Sequence, residues 1–267
     1  MTNEIINIDA VEGLKKLDNE SIDMVLTSPP YDNLRIYDNK CVWNFEKFKQ
    51  IANELKRVLK DGGVIVWNVN DESVKGCETL SSFKQAIYFK DNLGLNIYDT
   101  MIFLKPPRGA VGDNRGYWQS FEYMFIISKG YPKTINLIKD RRNKECRDGD
   151  IGTKRQKNGE LLNVKRAGYG EYGRRTNVWE YNIGKNLGTK DDVSWHPATF
   201  PEQLAKDHIY SWTNENDTIL DPFSGSGTTA IAAHIMKRNF IGFEINENYF
   251  KQSKKRFEER TAQLSLF

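Results

Sequence analysis

The chain has 267 residues, 39% of them hydrophobic, which is enough for one substantial core and a small additional unit. No apolar stretch approaches the roughly 18 residues that a membrane span requires, and the first residues lack the features of a signal peptide. We therefore expect a cytoplasmic protein with no membrane partner. The three cysteines and three histidines are scattered, so neither a disulfide framework nor a metal site is expected.

Strand and helix patterns alternate along most of the chain. The predicted strands are short apolar runs, at residues 5–8, 22–26, 64–69, 97–104, 123–128, 218–220 and 240–243. The predicted helices have helical periodicity or follow helix-start residues, at residues 11–17, 44–60, 83–92, 201–212, 228–238 and 246–260. This alternation predicts an α/β fold with a Rossmann-like, doubly wound and mostly parallel sheet.

The pattern changes between residues 129 and 195, where glycine, asparagine, lysine and arginine dominate and periodicity fades. Residues 129–190 contain 16 basic and 7 acidic side chains, a local net charge of +9 in a chain whose total is +3. A concentrated basic segment is typical of proteins that bind a polyanion, and a solvated, partly flexible loop is the alternative. We interpret residues 129–195 as an insertion between two parts of one domain, residues 1–128 and 196–262.

Two turn motifs each follow an apolar run that predicts a buried parallel strand. The first runs from Thr27 to Tyr31 (TSPPY) and the second from Asp221 to Thr229 (DPFSGSGTT). In open α/β sheets the carboxyl ends of such strands form the binding crevice. The glycines of the second motif let a ligand approach the backbone, and no lysine follows them as it would in a P-loop. Glu244 ends the next strand, where a carboxylate can bind ribose hydroxyls.

These motifs, in this order, resemble S-adenosylmethionine-dependent DNA amino-methyltransferases of the permuted β class. In that class the catalytic motif precedes the cofactor motif, and a target-recognition segment lies between them. The resemblance covers nearly the whole chain and includes residues 7–10 and 196–201. It implies a catalytic half at 1–128, a recognition segment at 129–195 and a cofactor half at 196–262. The implied S-adenosylmethionine-binding residues are Asp9, Ala198, Thr199, Asp221, Pro222, Phe223, Gly225, Gly227, Thr228 and Glu244.

The implied catalytic residues are Ser28, Pro29, Pro30 and Tyr31. An exocyclic amino group is a poor nucleophile because its lone pair is delocalised into the ring. The Ser28 hydroxyl and the Pro29 carbonyl can accept its hydrogen bonds, and Tyr31 can stack on a flipped base. Serine rather than aspartate at position 28 favours N4 of cytosine in the resembling family, with N6 of adenine as the alternative. A substrate in RNA, a different amino or amide substrate, and a non-enzymatic nucleic-acid-binding module are also compatible with the sequence.

The expected macromolecular partner is double-stranded DNA, held through phosphate contacts. The candidate side chains lie in the loop after the catalytic turn, after the strand at 97–104, and in the insertion. They are Arg35, Arg108, Arg141, Arg142, Lys154, Arg155, Lys165, Arg166, Arg174 and Arg175.

The last five residues resemble the short peptide with which bacterial proteins dock onto the DNA polymerase sliding clamp. Leu264, Leu266 and Phe267 would enter apolar pockets, and Gln263 would hydrogen-bond at their rim. The alternative is that Leu264 and Phe267 pack the tail, residues 263–267, onto the body of the protein. Dimers are common in the resembling methyltransferase class, which makes a homodimer a candidate assembly.

Overall fold

A computed structural model describes residues 3–30, 43–105, 117, 119–144, 148–182, 193–199 and 201–264. The chain divides into a main unit, Met1–Asn136 with Asn177–Phe267, and a second unit, Leu137–Thr176. The compact second unit lies inside the predicted insertion and has narrower bounds. Among the described residues, no helix is both long and apolar enough to cross a membrane.

The strands and helices are numbered here in chain order. The strands are β1 (Glu4–Asn7), β2 (Ile22–Thr27), β3 (Leu59–Val69), β4 (Ser73–Val74), β5 (Cys77–Glu78), β6 (Asn96–Leu104), β7 (Phe121–Ser128), β8 (Arg141–Arg142), β9 (Asp150–Arg155), β10 (Leu161–Arg166), β11 (Tyr172–Gly173), β12 (Val178–Glu180), β13 (Thr218–Asp221) and β14 (Asn239–Glu244). The helices are α1 (Ala10–Leu14), α2 (Phe45–Val58), α3 (Ser81–Ile87), α4 (Glu202–Trp212), α5 (Thr228–Ile235) and α6 (Glu247–Leu264).

The main unit is built on an eight-stranded sheet with the order β1-β14-β13-β2-β3-β7-β6-β12. The first five strands in this order, β1, β14, β13, β2 and β3, run parallel to one another. Strand β7 is antiparallel to both β3 and β6, and β12 is parallel to β6. The predicted α/β fold with a mostly parallel sheet is confirmed. The carboxyl ends of β1, β14, β13, β2 and β3 therefore share one edge of the sheet.

Helix α2 shows how the sequence pattern forms an element of the core. Asn44 caps its first turn by accepting a hydrogen bond from the Lys47 amide at 2.9 Å, and the residues at its buried positions recur with helical spacing. Phe48 on this buried face packs edge-on against Trp67 of β3 and against Phe89. The helix is thus fixed against the sheet by a cluster of fully buried aromatic rings.

Several predicted boundaries were wrong. Helix α2 ends at Val58 and not at residue 60. Strand β3 begins at Leu59, so it includes Gly62 and Gly63, which were expected to precede it. Gly62 has φ +77° and lies in an irregular stretch of the β2–β3 pairing. Helices α1 and α5 end three residues earlier than expected, and the helix predicted at 83–92 is α3 followed by a π-helical turn at Tyr88–Asn92. The periodic pattern survives these changes, because helix ends depend on local hydrogen bonding that periodicity does not encode.

The second unit contains the antiparallel hairpin β9–β10 and the short pair β8–β11. A stretch expected to belong to the insertion instead completes the main sheet, because β12 pairs with β6 and buries Trp179. The Trp179 ring lies 4.6 Å from that of His208 in α4.

Candidate active site

A cavity of about 720 Å³ opens at the carboxyl-terminal edge of the parallel strands. Residues from the Ser28 turn and from the glycine loop after β13 both line it, although the two motifs lie nearly 200 positions apart in sequence. The sheet order explains this meeting, since β2 and β13 are adjacent strands and end at the same edge. The sequence prediction that the two turns form one crevice agrees with this arrangement.

Asp221 connects the two motifs from a buried position. The hydroxyl of Thr27, next to Ser28, donates to Asp221 Oδ1 at 2.7 Å, and the hydroxyl of Thr229 in α5 donates to Oδ2 at 2.7 Å. The Phe223 amide also donates to Oδ1, at 3.1 Å. Burial raises the pKa of Asp221 to about 6, even though the three hydrogen bonds favour its charged form. Asp221 lines the cavity and also holds its walls together.

The two glycines of the loop have different roles. Gly225 has φ +48°, and a Cβ there would lie 2.8 Å from Nε2 of His196, which lines the cavity. Gly227 has φ +76° and caps the start of α5, and a Cβ there would face Ile5 and Ser253. Gly225 and Thr228 line the cavity; Gly227 is not among its lining residues and serves the turn into the helix.

Glu244 presents a carboxylate to the cavity at the end of β14. The Gly225 amide donates to its Oε2 at 2.9 Å, and the Asn246 amide donates to its Oε1 at 2.8 Å. Burial raises the pKa of Glu244. A carboxylate accepts about four hydrogen bonds, so each oxygen keeps capacity for a ligand hydroxyl. The two backbone bonds fix the orientation of this carboxylate.

Asp9 lies on the cavity wall at the start of α1. Its Oδ1 accepts the Val11 amide at 2.9 Å as a helix cap, and Lys47 Nζ lies 3.0 Å from both carboxylate oxygens. Both side chains are a little over one-quarter exposed. The sequence offered no signal for Lys47, because its partner is 38 positions away and comes from a different element.

The segment before α4 forms another part of the wall. Ala198 and Thr199, both expected at the cofactor, line the cavity together with His196 and Tyr249. His196 Nδ1 accepts the Ala198 amide at 3.2 Å, and the His196 ring meets the Tyr249 ring edge-on at 4.7 Å. The contribution of α6 to the site was not predicted, because its amphipathic pattern indicates only a packing role.

Aromatic and apolar side chains also line the cavity. Pro222 and Phe223 both line it, and Trp43 meets the Phe223 ring edge-on at 5.5 Å. The sequence is compatible with either a packing or a functional role for Trp43, and in the structure this residue lines the cavity while packing on the loop.

At the other end of the cavity, Ser28 and Pro30 belong to the lining, and Pro29 is buried without being part of it. Tyr31 lies outside the described residues. Beside Ser28 the lining includes three polar residues that sequence reasoning missed as a group: Asn68, Lys105 and Glu122. The signal that could have revealed them is position, since each lies near a strand end at this edge of the sheet.

Most of the predicted DNA-binding residues are exposed in the second unit. Arg35 and Arg108 lie outside the described residues. Arg175 is half-buried and pairs with Asp140, lowering the pKa of that carboxyl. The remaining candidates are exposed in the second unit: Arg141, Arg142, Lys154, Arg155, Lys165, Arg166 and Arg174.

For the predicted tail, α6 extends to Leu264, but the side chains of Gln263 and Leu264 and the residues Leu266 and Phe267 are not described. In the described part of the chain, no three His, Cys, Asp or Glu side chains group as a metal site would require.

The fold is shared with DNA methyltransferases of known structure. The chain has the same fold as the cytosine-N4-specific PvuII DNA methyltransferase, with a TM-score of 0.67 at 19% identity over 97% of this chain and 90% of that one. It is 50% identical over 233 residues to the orphan methyltransferase M.BamHII of Bacillus amyloliquefaciens, covering 86% of each chain. It is 28% identical over 269 residues to the DNA adenine methyltransferase YhdJ of Escherichia coli K12, covering 95% of this chain and 82% of that one.

The model of the N6/N4 DNA methylase family matches residues 22–255, and the chain belongs to that family. It is an S-adenosylmethionine-dependent DNA methyltransferase that acts on an exocyclic amino group of a base. The cavity fits such a cofactor, because the buried Glu244 carboxylate lines it, is held in place by two backbone amides and offers acceptors for ligand hydroxyls.

Proposed function

We propose that this protein methylates N4 of a cytosine in a specific sequence of duplex DNA, as an enzyme of the permuted β class. One observation carries the proposal: Ser28 and the glycine loop line the same cavity, joined by the hydrogen bond from Thr27 to Asp221. Position 28 is serine, with a neutral hydroxyl in place of an aspartate carboxylate, and serine at this position favours cytosine in this class. The order of the motifs, with the Ser28 turn ahead of the glycine loop, supports the class.

The residues around Ser28 provide alignment for the reaction. The Ser28 hydroxyl and the Pro29 carbonyl accept hydrogen bonds from the amino group and so localise its lone pair. Pro29 and Pro30 stiffen the turn because each fixes its own φ. Tyr31 stacks on the flipped base. S-adenosylmethionine supplies an activated methyl group, so alignment of the amino nitrogen with that methyl accounts for much of the rate.

The cofactor is assigned to the other end of the cavity. Glu244 binds the ribose hydroxyls, and Asp9, bridged by Lys47, faces the adenine. The methionine part lies against the glycine loop and the backbone before α4. The residues assigned there are Ala198, Thr199, Pro222, Phe223, Gly225 and Thr228. Asp221, which lines the cavity, stays in the cofactor set, and Gly227 is assigned to shaping the loop.

N6 of adenine is the second candidate, because a relative at 28% identity is named a DNA adenine methyltransferase. The two reactions use the same fold and cofactor and differ in the base that enters the catalytic end of the cavity.

A tritiated-methyl assay on duplex DNA and on RNA, with Tyr31→Ala and its ring-retaining control Tyr31→Phe, tests the proposal. We expect labelled DNA, unlabelled RNA, and a loss of about 5- to 150-fold in Tyr31→Ala, corresponding to a stacking free energy of about 1–3 kcal/mol. Tyr31→Phe should keep most activity, and both variants should bind S-adenosylmethionine as the wild type does. Full activity in Tyr31→Ala would contradict the catalytic assignment.

We also propose that Gln263, Leu264, Leu266 and Phe267 dock on the DNA polymerase sliding clamp. The support is the match of these residue types to a clamp-binding peptide. Deleting residues 263–267 should abolish capture by purified clamp and leave methylation of free DNA intact. Equal capture of the shortened protein would exclude this role. Homodimer formation stays a prediction, and light scattering of the purified protein tests it.

A further inference from the structure

A polar cluster lies at the catalytic end of the cavity: Thr27 pairs with Trp67 in the sheet, which places the first member, Asn68, beside Ser28. Lys105 Nζ lies 2.8 Å from Glu122 Oε1, and Asn68 Nδ2 donates to Glu122 Oε2 at 2.7 Å. The residues belong to β3, to β7 and to the position just after β6, three strands that are neighbours in the sheet. All three line the cavity with Ser28. We call Asn68, Lys105 and Glu122 the polar wall.

A contribution to folding stability does not explain why charged side chains are buried in the polar wall. The Lys105 and Glu122 side chains are only 19% and 11% exposed. Removing two charges from water costs about as much as their attraction returns, so a buried ion pair contributes little to folding. Its position beside the catalytic turn suggests that its role is to bind a ligand.

Glu122 orients Lys105. Its carboxylate oxygens are engaged by Lys105 and Asn68, and the Lys105 backbone amide donates to the Ser120 carbonyl at 2.6 Å, which anchors the residue next to β7. An ammonium has three N–H donors, so Lys105 can bind Glu122 and still donate into the cavity.

The other lysines in the described lining are Lys47, paired with Asp9, and Lys251, paired with Glu247 of α6. Asp9 is assigned to the adenine, and Glu247 lies three residues after Glu244, which is assigned to the ribose. Lys105 is therefore the cation that the described lining offers to the base.

We propose that Lys105 binds the O2 and N3 edge of the flipped base and thereby selects cytosine over adenine, with Glu122 and Asn68 as positioning residues. Next to its amino group cytosine has two acceptors, N3 and O2, whereas adenine has N1 and a C–H. An ammonium opposite O2 is satisfied by cytosine and left without a partner by adenine. A site built to form a hydrogen bond rejects a substrate that lacks it. This inference rests on the proposed function, since it places a flipped cytosine in the cavity.

The test uses a duplex carrying the sequence that the wild-type enzyme methylates, and a second duplex in which 2-thiocytosine replaces the target cytosine. Sulfur accepts hydrogen bonds weakly, so wild-type kcat/KM should fall by about tenfold on the second duplex. Lys105→Met should lose about tenfold or more on the normal duplex and respond little to the sulfur. Its affinity for S-adenosylmethionine should match that of the wild type.

Lys47→Met is the matched control, because it removes the ammonium of another partly buried ion pair in the same cavity. It should keep the full response to sulfur, and Lys105→Arg should recover part of the activity. An equal sulfur response in Lys105→Met and wild type would overturn the inference. So would a shallower salt dependence of DNA binding with an unchanged sulfur response, which would identify a phosphate contact. N6-methyladenine as the wild-type product would refute the proposed base itself.

Discussion

At the residue scale, Asp221 joins the two motifs that line the cavity. Sequence reasoning assigned it to the cofactor, and the structure shows a carboxylate that also joins the Ser28 turn, the glycine loop and α5. Its oxygens are occupied by two hydroxyls and one amide, and it is 3% exposed. Burying a carboxylate raises its pKa because the charged form is poorly solvated, so the enzyme gives up stability at neutral pH to keep this junction.

The stability of Asp221→Asn tests the energetic cost of this buried carboxylate. The pKa of Asp221 is about 6 in the folded protein and 3.8 as the ordinary value, so the folded state binds more protons between these values. Wild-type stability should therefore decrease as pH rises from about 4 to about 6, by about 3 kcal/mol from this group, and then level off. Asparagine cannot ionise, so urea unfolding should show the variant gaining about that much relative to wild type between pH 4 and pH 7. A difference that does not change with pH would contradict the buried charge.

At the element scale, the glycine loop depends on space as well as on backbone freedom. Gly225 combines a positive φ with a close approach of His196, whereas Gly94 has φ +66° and open space around its Cβ position. Substitutions at the two positions therefore distinguish the cost of a positive φ, which both share, from the cost of crowding His196, which only Gly225 has.

Replacing each glycine by alanine should give different results. Both substitutions place a side chain at positive φ, at a cost of about 1 kcal/mol in unfolding free energy. Gly225→Ala should in addition push His196 into the cavity and weaken S-adenosylmethionine binding by about tenfold or more, as measured by calorimetry. Gly94→Ala should bind the cofactor normally. Equal affinity in both variants would show that His196 does not need the space over Gly225.

How far the elements could be predicted depended on how local their causes are. The periodic face of α2, the glycine loop and the Ser28 turn are short-range patterns, and they were found. The pairing of β12 with β6 was missed because three residues carry too little pattern, and the burial of Trp179 is decided by tertiary contacts. The pairs Lys47–Asp9 and Lys105–Glu122 were missed for a related reason: each joins different elements, and only the sheet order brings their partners together.

At the scale of the whole molecule, charge is divided unequally between the two units. The second unit carries most of the predicted phosphate-binding side chains, and its β9–β10 hairpin is a two-stranded ribbon of a size that a major groove admits. Arg175 is a poor probe of binding, because its pairing with Asp140 makes it part of the unit's own structure. Lys154 and Lys165 are exposed on the hairpin and make better probes.

Changing Lys154 and Lys165 together to alanine should weaken DNA binding and flatten its salt dependence. The slope of log affinity against log salt is negative, and each lost phosphate contact reduces its magnitude by about 0.9, so the pair should reduce it by about 2. Lys56 and Lys254, exposed on α2 and α6 of the main unit, provide the control pair, which should leave the slope unchanged. Titrations of labelled duplex at several salt concentrations measure both. An unchanged slope in the hairpin variant would remove the hairpin from the interface.

We propose that the cavity shared by Ser28 and the glycine loop methylates N4 of cytosine. Mass spectrometry of nucleosides, from DNA treated with the purified protein and S-adenosylmethionine, tests it most directly because it separates the two amino-methylated products. We expect N4-methylcytosine with no N6-methyladenine, and Ser28→Ala should reduce that product strongly. N6-methyladenine as the product would contradict it.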